Sequence, residues 1–374
     1  MQAATLVEQL RQTHPDWRFV GVGGQLSRGA GVSLWADSSL WSIVGATEAL
    51  TRVPRFIYDY WSVRRRLLKE RPDLVIFIDA PAVHMRLAPV MQRHGLRCCY
   101  YFPPSGWSSQ AKRLRDIHSR CEALIPTFAF SAEQYARNHL PVAYFGHPLV
   151  DLCIPEPRAD ALRQLGLPEG DYAALLPGSR TQEIRLLLPT FLETARRLHQ
   201  EFPNTVWLLP SANAQIGQRI RQMVPDPPPW LRMVEGQSRR VMTVARAGLL
   251  SSGSATLEAC LLDLPHLICY KFNPLDYLIG CCLRRLQIVR VTFFGLPNLV
   301  LQEKVIPELL QHQANPADLA QLLRPLLQDT PQRQHAMQQL ARVRQNLGPH
   351  GAVSKVAHFV ERMALGQSRD EALA

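Results

Sequence analysis

Ala247-Gly248-Leu249-Leu250 runs directly into Ser251-Ser252-Gly253-Ser254-Ala255-Thr256-Leu257-Glu258. The first four residues read as a buried strand, the small residues after them as a turn, and Ala259-Cys260-Leu261-Leu262 as the start of a helix. The same order stands earlier in the chain. Ala173-Ala174-Leu175-Leu176-Pro177 is strand-like, Gly178-Ser179-Arg180 is a turn, and residues 183–199 have helical amphipathic spacing. At such strand-to-helix junctions, free backbone N–H groups and the positive end of the helix dipole attract an anion, and glycine lets it approach without a Cβ in the way. Arg180 adds a positive fork. Either turn alone is equally well read as a plain connection in an α/β sheet, but the pair favours a phosphate-bearing ligand such as a nucleoside diphosphate.

Working outward, strand and helix patterns alternate. Residues 4–13 are helical, and Trp17-Arg18-Phe19-Val20-Gly21-Val22 is a strand ending in Gly23-Gly24. Residues 74–78 form a strand that ends at Asp79, 87–94 a helix, 97–102 a strand, and 123–125 a short strand before a turn. Beyond them come strands at 172–177, 205–210, 247–251 and 266–271, then helices at 316–327, 331–346 and 353–365. This alternation predicts an α/β protein with parallel sheets covered by helices, whose ligands gather at the carboxyl ends of strands, where Gly23, Asp79 and Pro103 fall. The proline- and glycine-broken stretch 155–170 sets the expected boundary. The expected domains are 1–160 and 161–347, with a terminal helix in 348–374 available to pack back on the first.

At 374 residues, with 47% hydrophobic and 20% charged residues, the chain is long enough for two globular domains. Its formal charge of +11 suits anionic partners: phosphorylated substrates, an anionic membrane surface or nucleic acid. No helix-turn-helix, zinc or RNA-reading motif supports the last, so no nucleic-acid partner is expected. Basic clusters at Arg64-Arg65-Arg66, at Lys112, Arg113 and Arg115, and at Arg284-Arg285 adjoin apolar segments, as on a lipid-facing surface, although each alone is better read as a solvated helix face. The eight cysteines form no CxxC, and the vicinal Cys98-Cys99 and Cys281-Cys282 are poorly placed for disulfides. They read as reduced thiols in a cytoplasmic protein. No run reaches the roughly 18 apolar residues of a membrane span, and the start lacks the pattern of a signal peptide.

A series of short motifs runs in order along the chain: Phe19-Val20-Gly21-Val22-Gly23-Gly24; Val44-Gly45 with Glu48-Ala49-Leu50 and Pro54; Pro72-Asp73; Ile78-Asp79-Ala80-Pro81; residues 100–107; and Phe145-Gly146-His147-Pro148-Leu149-Val150-Asp151. They continue with Leu175-Leu176-Pro177-Gly178-Ser179-Arg180 and Glu183-Ile184, then Ser252-Gly253-Ser254-Ala255-Thr256-Leu257-Glu258, Leu296-Pro297-Asn298-Leu299, and Val305-Ile306-Pro307-Glu308-Leu309-Leu310-Gln311. In the order and spacing of these pieces the chain resembles, along almost its whole length, the lipid-A-disaccharide synthase family, a branch of the GT-B glycosyltransferases.

The resemblance implies two Rossmann-like domains, with acceptor on the first and UDP-sugar on the second. It implies transfer of a 2,3-diacylglucosamine unit from UDP to 2,3-diacylglucosamine 1-phosphate, giving the β-1,6-linked disaccharide of lipid A and UDP. It places Asp79 at the family's essential acid, readable as the general base, the alternative being a helix cap. Arg180 falls at its essential arginine, able to stabilise the leaving diphosphate or to make an interdomain salt bridge. Gly178, Ser179, Ser252, Gly253, Ser254 and Ala255 would hold phosphate, with Ser254 alternatively a helix cap. Glu258 would accept from ribose hydroxyls, and Asn298 and Glu308 would be further donor contacts. Gly23 and His147 fall on the acceptor or interdomain side, His147 being equally a satisfied structural histidine. Neither metal nor cofactor is expected. The implied partners are a UDP-sugar donor, a phosphorylated glycolipid acceptor and the inner face of the cytoplasmic membrane.

Two departures accompany the match. The family's opening strand and its Gly-Glu-x-Ser-Gly-Asp-like loop have no counterpart here, so a parallel sheet with an unfilled central position is expected; a late start codon would account for it. The family's Asp-x-Pro-Asp-Phe-Asn reads Asp79-Ala80-Pro81-Ala82-Val83-His84, and its aromatic Ser-x-Trp-Ala-Trp run reads Pro104-Ser105-Gly106-Trp107-Ser108-Ser109. Both lie on the acceptor side. The competing expectations are therefore a GT-B transferase with another acceptor, a UDP-sugar epimerase, or a non-catalytic UDP-sugar-binding protein.

Overall fold

The structure, a computed structural model, describes residues 2–37, 46–104, 120–273 and 293–374. Val44-Gly45, the run Ser105-Gly106-Trp107-Ser108-Ser109, the basic residues Lys112, Arg113, Arg115, Arg284 and Arg285, the apolar stretch 277–283 and Cys281-Cys282 lie outside the described residues. The described chain divides into two compact units: one up to Asp151 with Gly348–Ala374, the other from Leu152 to Leu347.

The first unit is built on parallel strands β1 (Val20–Gly23), β2 (Ser33–Asp37), β3 (Val75–Ile78), β4 (Cys98–Tyr101) and β5 (Ala123–Ile125). Its helices include α1 (Gln2–Thr13), α2 (Gln25–Gly29), α3 (Ala46–Glu70) and α4 (Pro81–Arg93). Period-two alternation sends β4 to both faces. Cys98 and Tyr100 join Phe77, Leu87, Met91 and Tyr135 on one side, while Cys99 and Tyr101 join Leu6, Leu10, Phe359 and Met363 on the other. Helix Ala352–Ala364 thus packs beside α1. Its start is capped by Asp151, whose carboxylate accepts from Gly351 N–H at 2.6 Å and Val353 N–H at 2.8 Å. The expected strand over Trp17-Arg18-Phe19 starts later, at Val20; Trp17 instead stacks on His14 at 4.1 Å.

These five strands form two sheets, β1-β2 and β3-β4-β5. Among the described residues no strand bonds to the outer edge of β1 or of β3. A cavity of about 270 Å³ lies there, lined by Leu6 and Leu10 of α1, Val20 and Val22 of β1, and Val75 and Phe77 of β3.

The second unit has one continuous parallel sheet in the order β11-β10-β9-β6-β7-β8. Its strands are β6 (Tyr172–Leu176), β7 (Val206–Ser211), β8 (Leu231–Glu235), β9 (Ala247–Ser251), β10 (His266–Tyr270) and β11 (Glu308–Leu310). Every residue of β6 and β9 is buried, as expected for central strands covered on both faces. Helix Thr181–Glu201 buries Ile184, Leu187, Leu188, Phe191, Ala195 and Leu198 against them, the three- and four-residue spacing of one helix face. The division falls after Asp151 and not at 160. Helix Arg158–Leu165 buries Ala161, Leu162 and Leu165 and packs on Ser238–Val244, so the proline-rich stretch belongs wholly to the second unit.

Candidate functional site

The chain order of the second sheet creates a crevice. From β6 the chain goes outward to β7 and β8, then returns to the other side of β6 with β9, β10 and β11. The crossover direction reverses between β6 and β9, and ligands of open parallel sheets collect outside the carboxyl ends at such a switch point. The turns that follow these two strands are Gly178-Ser179-Arg180 and Ser252-Gly253-Ser254.

Their backbone groups are spent differently. At the first turn, Gly178 sits at φ +119°, and a Cβ there would run into the Glu183 carboxylate. Glu183 accepts from Ser179 N–H at 3.0 Å and Arg180 N–H at 3.3 Å, and its other oxygen lies 3.2 Å from Arg180 Nη1. The expectation of free N–H groups therefore fails at this turn, because an acid four residues on caps the helix. The Arg180 side chain remains 57% exposed, with guanidinium donors to spare.

At the second turn, the N–H groups of Gly253, Ser254 and Ala255 make no hydrogen bond to a described residue. Apart from its chain neighbours, no described residue lies within 4 Å of where a Gly253 Cβ would stand. Ser254 makes no side-chain cap. Ser252 is occupied internally: its N–H donates to Cys269 O at 3.0 Å and its Oγ to Phe294 O at 2.5 Å.

Asn298 and Glu308 are likewise occupied. Asn298 is fully buried; its amide nitrogen donates to Ile306 O at 2.7 Å and Glu308 Oε1 at 2.6 Å, and its oxygen accepts from Val305 and Ile306 N–H at 2.9 and 2.8 Å. All four of its hydrogen-bonding positions are filled, leaving none for a ligand. Glu308 also accepts from Phe294 N–H at 2.9 Å and Gly295 N–H at 2.8 Å. Ser252, Asn298 and Glu308, expected as UDP-sugar contacts, together fasten the loop at Phe294-Gly295. Glu258 is mostly buried, with Arg239 Nε 3.0 Å from its Oε2 and Nη2 3.5 Å from Oε1.

A cation escaped the sequence reading. Lys271 follows β10, next to β9 in the sheet, and its Nζ donates to Thr190 Oγ1 at 2.7 Å; burial holds its pKa below the ordinary lysine range. Its position one residue beyond an apolar strand was the available signal.

In the first unit, Asp79 directly follows β3 and is exposed. It does not cap α4: the residue ahead of that helix is Ala80, at φ +44° and ψ +55°, and no side chain caps it. Gly23 ends β1, where a Cβ would stand 2.6 Å from Ser27 Cβ and Oγ. Its need for glycine is the packing of α2. His147 is 4% exposed, between Phe128 and Phe102 with ring centroids 5.0 and 6.1 Å away. Its Nδ1 accepts from Leu149 N–H at 3.1 Å, and burial lowers its pKa to about 4. A neutral imidazole with this bond is the satisfied structural histidine of the two readings. Among the described residues no group of three or more His, Cys, Asp or Glu side chains is placed to hold a metal ion.

Comparison with known proteins agrees with this geometry. The family described as lipid-A-disaccharide synthetase matches residues 1–361. The lipid-A-disaccharide synthase of Pseudomonas aeruginosa (strain UCBPP-PA14) is 36% identical over 360 residues, covering 96% of this chain and 94% of that one. The synthase of Pseudomonas putida (strain KT2440) is 35% identical over 338 residues, covering 90% and 89%. Among solved structures, UDP-GlcNAc 2-epimerase from Neisseria meningitidis bound to UDP-GlcNAc superposes with TM-score 0.58 at 11% identity, over 92% of this chain and 100% of that one. The calicheamicin glycosyltransferase CalG4 gives 0.58 at 16%, over 96% and 94%. These two show a shared fold; the sequence relatives decide between transferase and epimerase. The chain belongs to the lipid-A-disaccharide synthase family and is a GT-B glycosyltransferase of lipid A disaccharide synthesis.

Proposed function

We propose that the chain moves 2,3-diacylglucosamine from UDP to the 6-hydroxyl of 2,3-diacylglucosamine 1-phosphate, with Asp79 as general base and the crevice at the β6–β9 switch point as the diphosphate site. Family membership implies the donor class, a UDP-sugar, and the acceptor class, a lipid phosphate. The observation that carries the reading is the pair of turns on adjacent central strands, one with open N–H groups at Gly253, Ser254 and Ala255 and the other with the exposed Arg180 guanidinium.

The acceptor oxygen attacks the anomeric carbon while its proton passes to the Asp79 carboxylate. The bond from that carbon to the β-phosphate oxygen breaks, and its electron pair leaves on UDP. Arg180 and Lys271 stabilise the charge that grows on the leaving group. Glu258, steadied by Arg239, keeps lone pairs for the ribose hydroxyls.

The reading includes a membrane-facing surface on α3. Ile57, Tyr58 and Trp61 are 49%, 66% and 55% exposed, Arg64 stacks 4.8 Å over the Trp61 ring, and Arg65 and Arg66 are exposed beside them. An apolar groove of about 230 Å³, lined by Phe56, Ile57, Tyr60, Trp61, Val83 and Arg86, continues this face. Aromatic and basic groups together suit a helix lying in an anionic lipid interface. No described helix is long and apolar enough to cross a membrane. Calorimetric titration of UDP tests the donor site: Arg180→Ala and Lys271→Ala are each expected to weaken binding about tenfold. Unchanged affinity in both would remove the site from the switch point.

A further inference from the structure

Asp79 and Ala80 are consecutive non-glycine residues with φ of +51° and +44°. Each L-residue in this region carries a steric cost on the order of 1–2 kcal/mol, and such a pair persists only where its surroundings hold it. Here the surroundings are two side chains on one oxygen. His84 Nδ1 lies 2.6 Å from the Asp79 carbonyl oxygen, and Tyr100 Oη donates to the same oxygen at 2.8 Å. A carbonyl only accepts, so the His84 proton resides on Nδ1.

The clamp is itself packed in place. Phe77 and Tyr100 are register partners on β3 and β4. His84 stacks on Phe77 at 5.0 Å and meets Tyr100 edge to face at 5.7 Å. Three aromatic rings from β3, β4 and α4 therefore converge under one peptide group. Burial lowers the His84 pKa to about 4, which keeps the imidazole neutral and its single Nδ1 proton committed to the carbonyl near neutral pH. Tyr100 is held protonated by burial first and by the Asp79 charge second. The bond is thereby kept in both donors without competition from their own ionisation.

We propose that His84 and Tyr100 are positioning residues for the transfer: by gripping the Asp79 carbonyl they fix the left-handed turn that aims the Asp79 carboxylate. This rests on the assignment of Asp79 as the base. Neither residue touches the reacting atoms in this account. Their effect is on where the carboxylate stands, and a displacement of about 1 Å at a reacting group costs around 100-fold in rate.

The test is steady-state kinetics with melting temperatures for wild type, His84→Ala, His84→Asn, Tyr100→Phe, Asp79→Ala and the His84→Ala/Asp79→Ala double variant. His84→Ala is expected to lower kcat about 10- to 100-fold, with the KM for UDP-sugar unchanged within about twofold. His84→Asn, whose amide N–H can stand near the place of Nδ1–H, should recover most of that loss. Tyr100→Phe, missing one oxygen, should cost about three- to tenfold, and it keeps the test open if His84→Ala does not fold. In the Asp79→Ala background, His84→Ala should add no further loss, because nothing is left to aim.

Wild-type kcat in both His84→Ala and Tyr100→Phe beside an inactive Asp79→Ala would overturn the clamp and leave the base assignment standing. So would an equal loss from His84→Ala with and without Asp79, or no recovery in His84→Asn. Near-normal turnover by Asp79→Ala would instead overturn the base assignment and the clamp with it.

Discussion

The two units solve the same architectural problem with different completeness. In the second, β6 and β9 pair through Ala173↔Ala247 to Leu176↔Leu250, and the sheet runs unbroken across its switch point. In the first, the corresponding middle is a cavity between the facing edges of β1 and β3. The paired centre gives the two small-residue turns a rigid platform. The open centre leaves the Asp79 turn to be held from one flank, by β4 and α4, which is where the Tyr100 and His84 bonds lie. A stable unit with an open sheet must draw more of its rigidity from helices. α1 and helix Ala352–Ala364 pack together on the first unit, and Arg97 secures the end of the latter through the carbonyls of Met363 and Gln367.

The largest expected effect separates the units by chemistry. Asp79→Ala should lower kcat about 1,000-fold or more and leave UDP affinity within twofold, whereas Arg180→Ala should weaken UDP binding and turnover together. Kinetics and titration on the same preparations check this. Equal behaviour of the two variants would break the division of roles between the units.

Acid should separate them by stability. Burial lowers His84, His147 and His266 from the ordinary 6.5 to about 4. Between these values the unfolded chain binds protons that the folded chain refuses. Stability from these groups is therefore complete above pH 6.5 and falls as pH drops toward 4, by roughly 3 kcal/mol for each. Two of the three are in the first unit, so pH-dependent melting followed by hydrogen exchange should show the first unit opening before the second. Simultaneous opening would count against the contrast.

Asn298→Ala probes the second unit in the other direction. It removes both ends of a buried four-bond network and should cost about 2–4 kcal/mol. Denaturant unfolding measures the loss. A wild-type midpoint would mean that the amide contributes no net stability to its loop. At native pH the edges of β1 and β3 should exchange amide hydrogens faster than β6 and β9. The smallest effect is at the surface: Trp61→Ser should weaken binding to anionic vesicles about tenfold without altering UDP affinity.

What the sequence revealed divides along the same line. Strands buried on both faces, such as Ala247–Ser251 and Tyr172–Leu176, announce themselves as continuous apolar runs, and the turns after them as runs of small residues. β2, with Ser33 and Asp37 exposed at its ends, carries no such run and was missed. The first half of α3 lacks a plain start signal in sequence, so only its apolar-basic second half was noticed. Site residues were legible as types but not as partners. Asn298 and Glu308 look like ligand contacts in sequence, whereas the structure directs their hydrogen bonds to Ile306, Val305, each other and the Phe294-Gly295 loop. The Glu183 cap over Ser179 and Arg180 was similarly hidden, because a cap and a phosphate compete for the same N–H groups. His84 stood in plain view as a departure from the family pattern, and its meaning depended on a positive φ that no sequence displays.

The most direct measurement is mass spectrometry of reaction mixtures containing the chain, UDP-2,3-diacylglucosamine and 2,3-diacylglucosamine 1-phosphate. The account predicts one disaccharide 1-phosphate for each UDP released, and about 1,000-fold slower formation of both with Asp79→Ala. UDP-sugar converted to an epimer, or UDP released without disaccharide, would contradict it.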